Sequence, residues 1–413
     1  MNRILYVLHS GVTGGTFLTN KDLMKHVAND FEVFLLGAEK DFFRLYKYED
    51  NELKIIKDYP RYLNLNVPFN GSNIDYRNWS AKEFHNSWLS FIYFDILNKY
   101  RIDLVHIRHL INHSFDLPQV AKKLGIPVVL SIHDFYFICP FYVLLDENNN
   151  YCGGICKDNG EKCYCPMDSL RDINSKVFIN VWRENVLKMF SFIDYFITTS
   201  NIVKDLFLKI YDNNKILNDN NFAVIEHGRD FPKITKEYYK VPSLDKPIKI
   251  LCPANHLNVM KGSNLIKQIK LEDKNNIIEF HFLGNCHDGI EEYGINHGTF
   301  ERDDFYKKVD EIKPSFIGIF SIWPETFCHT LTEAWSCGIP VIGTNIGVIE
   351  DRILGSRGGI IVDRNNPKNA YNTIINFIKT GNYMFYVNKI KMMKLKSTKM
   401  MSQQYIEIYN ILI

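Results

Sequence analysis

The feature that most constrains this chain is an alternation, run twice, of short apolar stretches with segments long enough for helices. Ile4 to His9 is an apolar run of strand length, Gly11-Val12-Thr13-Gly14-Gly15-Thr16 is a loop, and Phe17 to Val27 suits a helix. Phe31 to Leu36 is a second run, and Leu104–Ile107, Val128–Ile132 and Tyr195–Thr198 continue the series. Runs that are apolar throughout belong to strands buried on both faces, so the pattern predicts βαβ units and a parallel sheet. It lapses in a polar loop around 212–221 and a Pro-containing stretch from Phe231 to Pro247. It restarts with Ile248–Cys252, Ile278–Leu283, Phe316–Phe320 and Val341–Gly343. The expectation is an α/β protein of two domains, 1–225 and 226–395, with 396–413 as a helix packing back toward the first. Open parallel sheets bind ligands at the carboxyl ends of their strands, so a cleft there is the expected site.

Composition narrows the function classes. A chain of 413 residues has room for two or three domains of about 150 residues each. Its 49 basic and 47 acidic residues leave a net charge of +2, without the basic excess of a nucleic-acid binder. No stretch approaches the ~20 apolar residues of a membrane-spanning helix. The run Ile4-Leu5-Tyr6-Val7-Leu8 is too short for a signal-peptide core, so a cytoplasmic enzyme with reduced cysteines is expected.

The densest stretch is Ser321-Ile-Trp-Pro-Glu325-Thr-Phe-Cys-His329-Thr-Leu-Thr-Glu333-Ala-Trp-Ser-Cys-Gly338-Ile-Pro-Val-Ile-Gly343. It reads as strand, turn, helix, strand, with Pro324 ending the strand, Thr326 as the helix cap and Gly338 at the helix C-terminus. The amides of Phe327, Cys328, His329 and Thr330 would then favour an anion such as a diphosphate. Glu325 and Glu333 are spaced at roughly 12 Å of helix rise, far enough for one to reach a sugar and the other a ribose.

This stretch resembles the Glu-x7-Glu motif of retaining glycosyltransferases with the GT-B fold, in particular glycosyltransferase family 4. The resemblance implies two Rossmann-like domains facing across a cleft. It also implies that Glu325 contacts donor-sugar hydroxyls and Glu333 the nucleotide ribose. Lys261-Gly262, after the strand Ile250–Pro253, is similar to the family's Lys-Gly, whose lysine neutralises the donor diphosphate as it leaves, a task suited to a point charge. The family often has an arginine a few residues earlier. Here that stretch is Asn255-His256-Leu257-Asn258, with Asn255 a candidate donor contact and His256 or Arg229 the candidate substitutes for the missing cation.

In the N-terminal half, Gly14-Gly15 lies in the first strand–helix loop, which the family uses beside the donor phosphates and the acceptor. Its Gly-x-x-Gly-Gly spacing fails the dinucleotide pattern Gly-x-Gly-x-x-Gly, which disfavours an NAD-dependent oxidoreductase. His133-Asp134 closes a strand at its carboxyl end. By resemblance His133 is a catalytic candidate that bonds the donor sugar or positions the acceptor, and Asp134 orients the acceptor hydroxyl. Glu226-His227-Gly228-Arg229-Asp230 sits where the family has a junction turn, with hinge and site contact as the two readings.

Cys152, Cys156, Cys163 and Cys165 could give four thiolates to a structural zinc, though their spacing departs from the usual Cys-x2-Cys pairs. Free thiols or a disulfide are the alternatives. No catalytic metal is expected, since enzymes of this fold generally use none. Residues 383–399 mix apolar positions with Lys389, Lys391, Lys394, Lys396 and Lys399. A packed helix with a solvated lysine face, or peripheral contact with an anionic membrane, would account for them.

The resemblance thus implies transfer of a sugar from a nucleoside diphosphate sugar to a hydroxyl of a glycan or lipid-linked acceptor, in surface polysaccharide or glycoconjugate synthesis. A sugar-nucleotide epimerase or phosphorylase, or a silent sugar-nucleotide-binding subunit, are the competing readings.

Overall fold

A computed structural model of the chain describes residues 1–11, 14–39, 42–60, 84–146, 148–156, 175–211, 215–232 and 236–413. These divide into two compact units. One comprises Met1–Asn148, Cys152–Asp230 and Lys396–Ile413, the other Asn149–Tyr151 and Phe231–Leu395.

The first unit runs β1 (Arg3–Leu8), α1 (Gly15–Val27), β2 (Glu32–Ala38), β3 (Phe42–Glu49), β4 (Glu52–Pro60), α2 (Ser87–Lys99), β5 (Leu104–Ile107) and α3 (Asp116–Lys123). It continues with β6 (Val128–Ser131), α4 (Ser175–Phe190), β7 (Tyr195–Thr198), α5 (Asn201–Ile210) and β8 (Phe222–Val224). The strands form one sheet in the order β4-β3-β2-β1-β5-β6-β7-β8. From β2 to β8 every neighbouring pair is parallel, whereas β3 joins β2 antiparallel and β4 joins β3 antiparallel. The strand order reverses direction between β1 and β5. That reversal is the switch point of a doubly wound sheet, where ligand crevices form.

The parallel strands fall on the apolar runs read from sequence. The β3–β4 hairpin does not. Its turn is Asp50-Asn51, both with positive φ (56° and 65°), the conformation of a two-residue hairpin turn.

The second unit runs β9 (Ile248–Leu257), α6 (Ser263–Glu272), β10 (Ile278–Cys286), β11 (Ile295–Asn296), α7 (Phe305–Ile312), β12 (Phe316–Ile319) and α8 (His329–Ser336). β13 (Val341–Thr344), α9 (Gly347–Ser356), β14 (Gly359–Val362), α10 (Pro367–Lys379) and α11 (Tyr383–Lys391) follow. Its sheet is parallel throughout, in the order β11-β10-β9-β12-β13-β14. Here the switch point falls between β9 and β12. Tyr383, Val387 and Ile390 of α11 are buried in this unit's core, so the lysine-bearing stretch is anchored by its apolar positions.

The last helix, α12 (Thr398–Leu412), belongs to the first unit. Its Met401, Tyr405 and Tyr409 share a core cluster with Ile4, Tyr6 and Leu8 of β1. The Tyr409 hydroxyl lies 3.0 Å from the Tyr6 hydroxyl and 2.6 Å from Nδ1 of His106, whose Nε2 is 2.8 Å from the Ser131 Oγ. Arg108, fully buried, donates from Nη1 to Ser131 Oγ and Tyr405 Oη, both at 3.1 Å. A cation inside a core needs such partners to offset its lost hydration. The turn Glu226–Asp230 docks the start of this helix. Arg229 N–H donates to Lys396 O (2.9 Å), and Asp230 accepts from the amide and hydroxyl of Thr398 at 3.1 and 2.6 Å.

Candidate active site

In the second unit, the chain leaving β9 and the chain leaving β12 turn toward each other across the switch point. After β9, Asn258 accepts a hydrogen bond from the Lys261 amide at 3.2 Å, closing a single 3-10 turn over Val259–Lys261. Gly262 then takes φ 85°, and α6 starts at Ser263. After β12, Glu325 adopts φ 47° and Cys328 φ 62°, two left-handed residues before α8. Non-glycine residues held there carry strain of order 1–3 kcal/mol, a feature concentrated at functional sites.

The two turns bring Lys261 Nζ to 2.7 Å from Glu325 Oε1, and Ser321 Oγ donates to the same oxygen at 2.7 Å. The Glu325 side chain is 8% exposed and that of Lys261 35%. Burial would raise the Glu325 carboxyl. The Lys261 charge, with hydrogen bonds from Lys261, Ser321 and Cys328, outweighs it and holds the group below the usual carboxylate range. Burial works against the Lys261 ammonium, yet the facing carboxylate keeps it above its ordinary value. The Cys328 thiol is pushed well up by burial and by Glu325, so it is present as the thiol.

Lys261, Ser321, Glu325, Cys328 and Thr330 line a small pocket that is partly open to solvent, with Cys252, Gly318 and Phe320 among the other residues around it. The helix that begins beside it does so later than the sequence suggested. Thr326 does not cap α8. The cap position is Cys328, and the first turn starts at His329. The positive end of the helix therefore lies at His329 and Thr330, while the Phe327 amide precedes it. Phe327 is buried at 4% exposure with the Arg352 guanidinium 4.0 Å above its ring. Arg352 also donates from Nη1 to the carbonyls of Phe327 (2.6 Å) and Cys328 (3.1 Å), and from Nη2 to Thr332 Oγ1 at 2.9 Å. It clamps the strained loop, and nothing in the sequence pattern had marked it. Glu333 sits on α8, half-buried, and Asn255 is exposed near the end of β9; neither lines the pocket. His256 is exposed, its Nδ1 3.0 Å from Nε2 of His287.

In the first unit, the carboxyl ends of β1, β5 and β6 carry a second polar group. The Ile111 amide donates to Nδ1 of His109 at 3.0 Å, which leaves the proton on Nε2, and Nε2 donates to Asp134 Oδ2 at 2.9 Å. Asp134 Oδ1 accepts from the Tyr136 amide at 2.9 Å, so both of its oxygens are oriented. The His9 ring is 5.1 Å from that of His109, and burial lowers the His9 pKa to about 4. Gly14, at φ 95°, precedes α1 with its Cβ position 3.8 Å from His9 Nε2; the Cβ position of Gly15 is open. His133 is half-buried and stacked on His227, ring centroids 5.4 Å apart and planes 8° from parallel. Burial, then the Arg108 charge, lowers its pKa well below the usual value, so it is a neutral imidazole at neutral pH.

Residues 242–392 match the sequence family described as glycosyl transferases group 1. Solved structures align over the whole chain. Sucrose-phosphate synthase from Thermosynechococcus elongatus aligns at TM-score 0.65 and 11% identity, covering 100% of this chain and 99% of that one. Anabaena HepE in complex with UDP aligns at TM-score 0.63 and 14% identity, covering 100% of both chains. The UDP-forming α,α-trehalose-phosphate synthase of Burkholderia vietnamiensis aligns at TM-score 0.61 and 9% identity, covering 100% of this chain and 98% of that one. These findings support a glycosyltransferase of the GT-B fold. A comparison with curated protein sequences finds no significant match.

The segment matched to that family contains Lys261, Glu325 and Glu333 and the pocket they define or flank. Of the cysteine cluster, Cys163 and Cys165 lie outside the described residues. Among the described residues, no group of three or more His, Cys, Asp or Glu is placed to hold a metal, and no helix is long and apolar enough to cross a membrane.

Proposed function

We propose that this chain is a retaining glycosyltransferase that moves a sugar from a nucleoside diphosphate sugar to a hydroxyl of a glycan or lipid-linked acceptor. The observation that carries the reading is the pairing of Lys261 and Glu325 in one pocket at the switch point of the second unit. The UDP and UDP-glucose held by the HepE structures support a nucleotide-sugar donor. Lys261 and the first-turn amides of α8 would hold the diphosphate, Glu325 the sugar hydroxyls and Glu333 the ribose. The bond between the anomeric carbon and the β-phosphate oxygen breaks, the acceptor oxygen bonds on the same face, and the departing phosphate oxygen takes the acceptor's proton. Such chemistry relies on leaving-group stabilisation and placement, with no nucleophilic side chain required.

On the first unit, neutral His133 suits a hydrogen bond to an uncharged sugar or acceptor group, and Asp134, held by His109, suits an acceptor hydroxyl. We place this work in the cytoplasm, in assembly of surface polysaccharide or another glycoconjugate.

A thermal-shift panel of nucleoside diphosphate sugars tests donor binding, since a bound donor stabilises the fold by mass action. Glu325→Ala should abolish transfer, a loss of at least about 10²-fold, with the circular dichroism spectrum intact. Near-normal turnover would refute its role. Magnetic resonance of the product's anomeric proton tests retention, and an inverted anomer would overturn that part.

A further inference from the structure

The two side chains proposed for opposite ends of the donor are bonded to each other. Lys261 is to take the diphosphate and Glu325 the sugar hydroxyls, yet Nζ and Oε1 are 2.7 Å apart. Among the described residues that line the pocket, Lys261 and Glu325 are the charged ones, and their charges offset each other. Glu325 cannot easily turn away. Its backbone is left-handed, Ser321 Oγ holds the same oxygen at 2.7 Å, and Ser321 O in turn accepts from Thr344 Oγ1 at 2.6 Å. Pro324, the residue before it, packs on Gly347, whose Cβ position would fall 2.5 Å from Pro324 Cβ. Lys261 is the mobile partner, on a longer and more exposed side chain, its ammonium 5.5 Å from the Trp323 ring centroid.

We propose that Lys261 and Glu325 stand in for each other's ligand, so that the pocket selects a nucleoside diphosphate sugar over the nucleoside diphosphate released after transfer. The inference rests on the donor-site reading above. A nucleoside diphosphate satisfies only the lysine. It draws Lys261 away and leaves a carboxylate that is 8% exposed with Ser321 and the Cys328 thiol as its remaining donors. Breaking a buried pair in this way is costly because one charge is left uncompensated. The intact donor replaces both halves of the pair, its diphosphate meeting Lys261 and its sugar hydroxyls donating to Glu325. After transfer the sugar is gone, Lys261 returns to Glu325, and the reformed pair favours product release.

The test uses the full chain and calorimetry with two probes: the nucleoside diphosphate sugar that shifts the wild-type melting temperature most in a panel of UDP, GDP, ADP and CDP derivatives, and its free nucleoside diphosphate. Glu325→Gln keeps the shape and removes the charge. The free diphosphate should bind this variant about five- to tenfold tighter than wild type, while the sugar nucleotide binds more weakly, reversing or abolishing the wild-type preference. Simple removal of a negative charge near an anion site would instead tighten both. Unchanged or weaker diphosphate binding, or tightening of both probes, overturns the proposal while leaving the donor-site reading standing. If no probe binds the wild-type chain, both fall. Should Glu325→Gln fail to fold, Glu325→Asp withdraws the carboxylate by one methylene and should move the two affinities in the same opposite directions by a smaller factor.

Discussion

Gly262 gives the sharpest test of how the backbone places Lys261. Its φ is 85°, in the left-handed region, and a Cβ there would run into the Phe320 carbonyl oxygen and lie 2.7 Å from Phe320 Cβ. Two costs therefore add in Gly262→Ala. The left-handed backbone costs about 1–2 kcal/mol for a residue with a side chain, and the clash, which is with backbone and not a flexible side-chain end, adds about 1–3 kcal/mol. Gly289 supplies the control in the same unit, with φ 66° and nothing within 4 Å of its Cβ position. Gly289→Ala should meet only the first cost. The difference, about 1–3 kcal/mol, corresponds to a melting temperature lower by roughly 2–12 °C for a unit of this size. Differential scanning fluorimetry of the three proteins reads the stability, and calorimetric titration of the chosen nucleoside diphosphate reads the site. Gly262→Ala should also lose nucleotide affinity, because relief of the clash moves the turn that carries Lys261. Equal melting temperatures for the two variants would show that space at Gly262 does not matter and refute the reasoning.

Two further outcomes concern the first unit. His9 has a folded pKa of about 4 against an ordinary value near 6.5, so below pH 6.5 the unfolded chain binds a proton that the folded one refuses. Stability should fall as pH drops from 6.5 toward 4. Urea midpoints of His9→Gln should fall less steeply over that range, and an identical slope would remove His9 from the account. Tyr409→Phe takes one hydroxyl from between Tyr6 and His106 and should cost about 1–3 kcal/mol in chemical denaturation. Ile411→Ala, at a side chain 79% exposed, should change little, and equal losses would refute the network's importance.

The parallel cores were legible because strands covered on both faces must be apolar throughout, and such runs stand out from helix-length stretches. The β3–β4 hairpin was not read, although Phe42–Glu49 mixes buried and half-buried positions and Asp50-Asn51 is a turn pair. At the site, the Glu325–Glu333 spacing and Lys261-Gly262 could be found along the chain. Their pairing could not, since Lys261 and Glu325 are 64 positions apart and meet only because β9 and β12 flank a switch point. Likewise Thr326 has the chemistry of a cap, but the left-handed turn at Cys328 delays the helix and overrides that preference. His9 and His109 belong to no motif that the sequence displays. The contact of His9 with His109, and the bond of His109 to Asp134, follow only once β1, β5 and β6 are known to be neighbours.

The return of α12 to the first unit also bears on the order in which the protein is made. Residues 231–395 form nearly all of their own unit and can fold as soon as they leave the ribosome. The first unit has been waiting longer but lacks Met401, Tyr405 and Tyr409, the side chains that cover β1. Its core can close only when α12 has been released. A chain stopped before α12 would then carry an intact second unit and the Lys261–Glu325 pocket, and an N-terminal unit with an open seam.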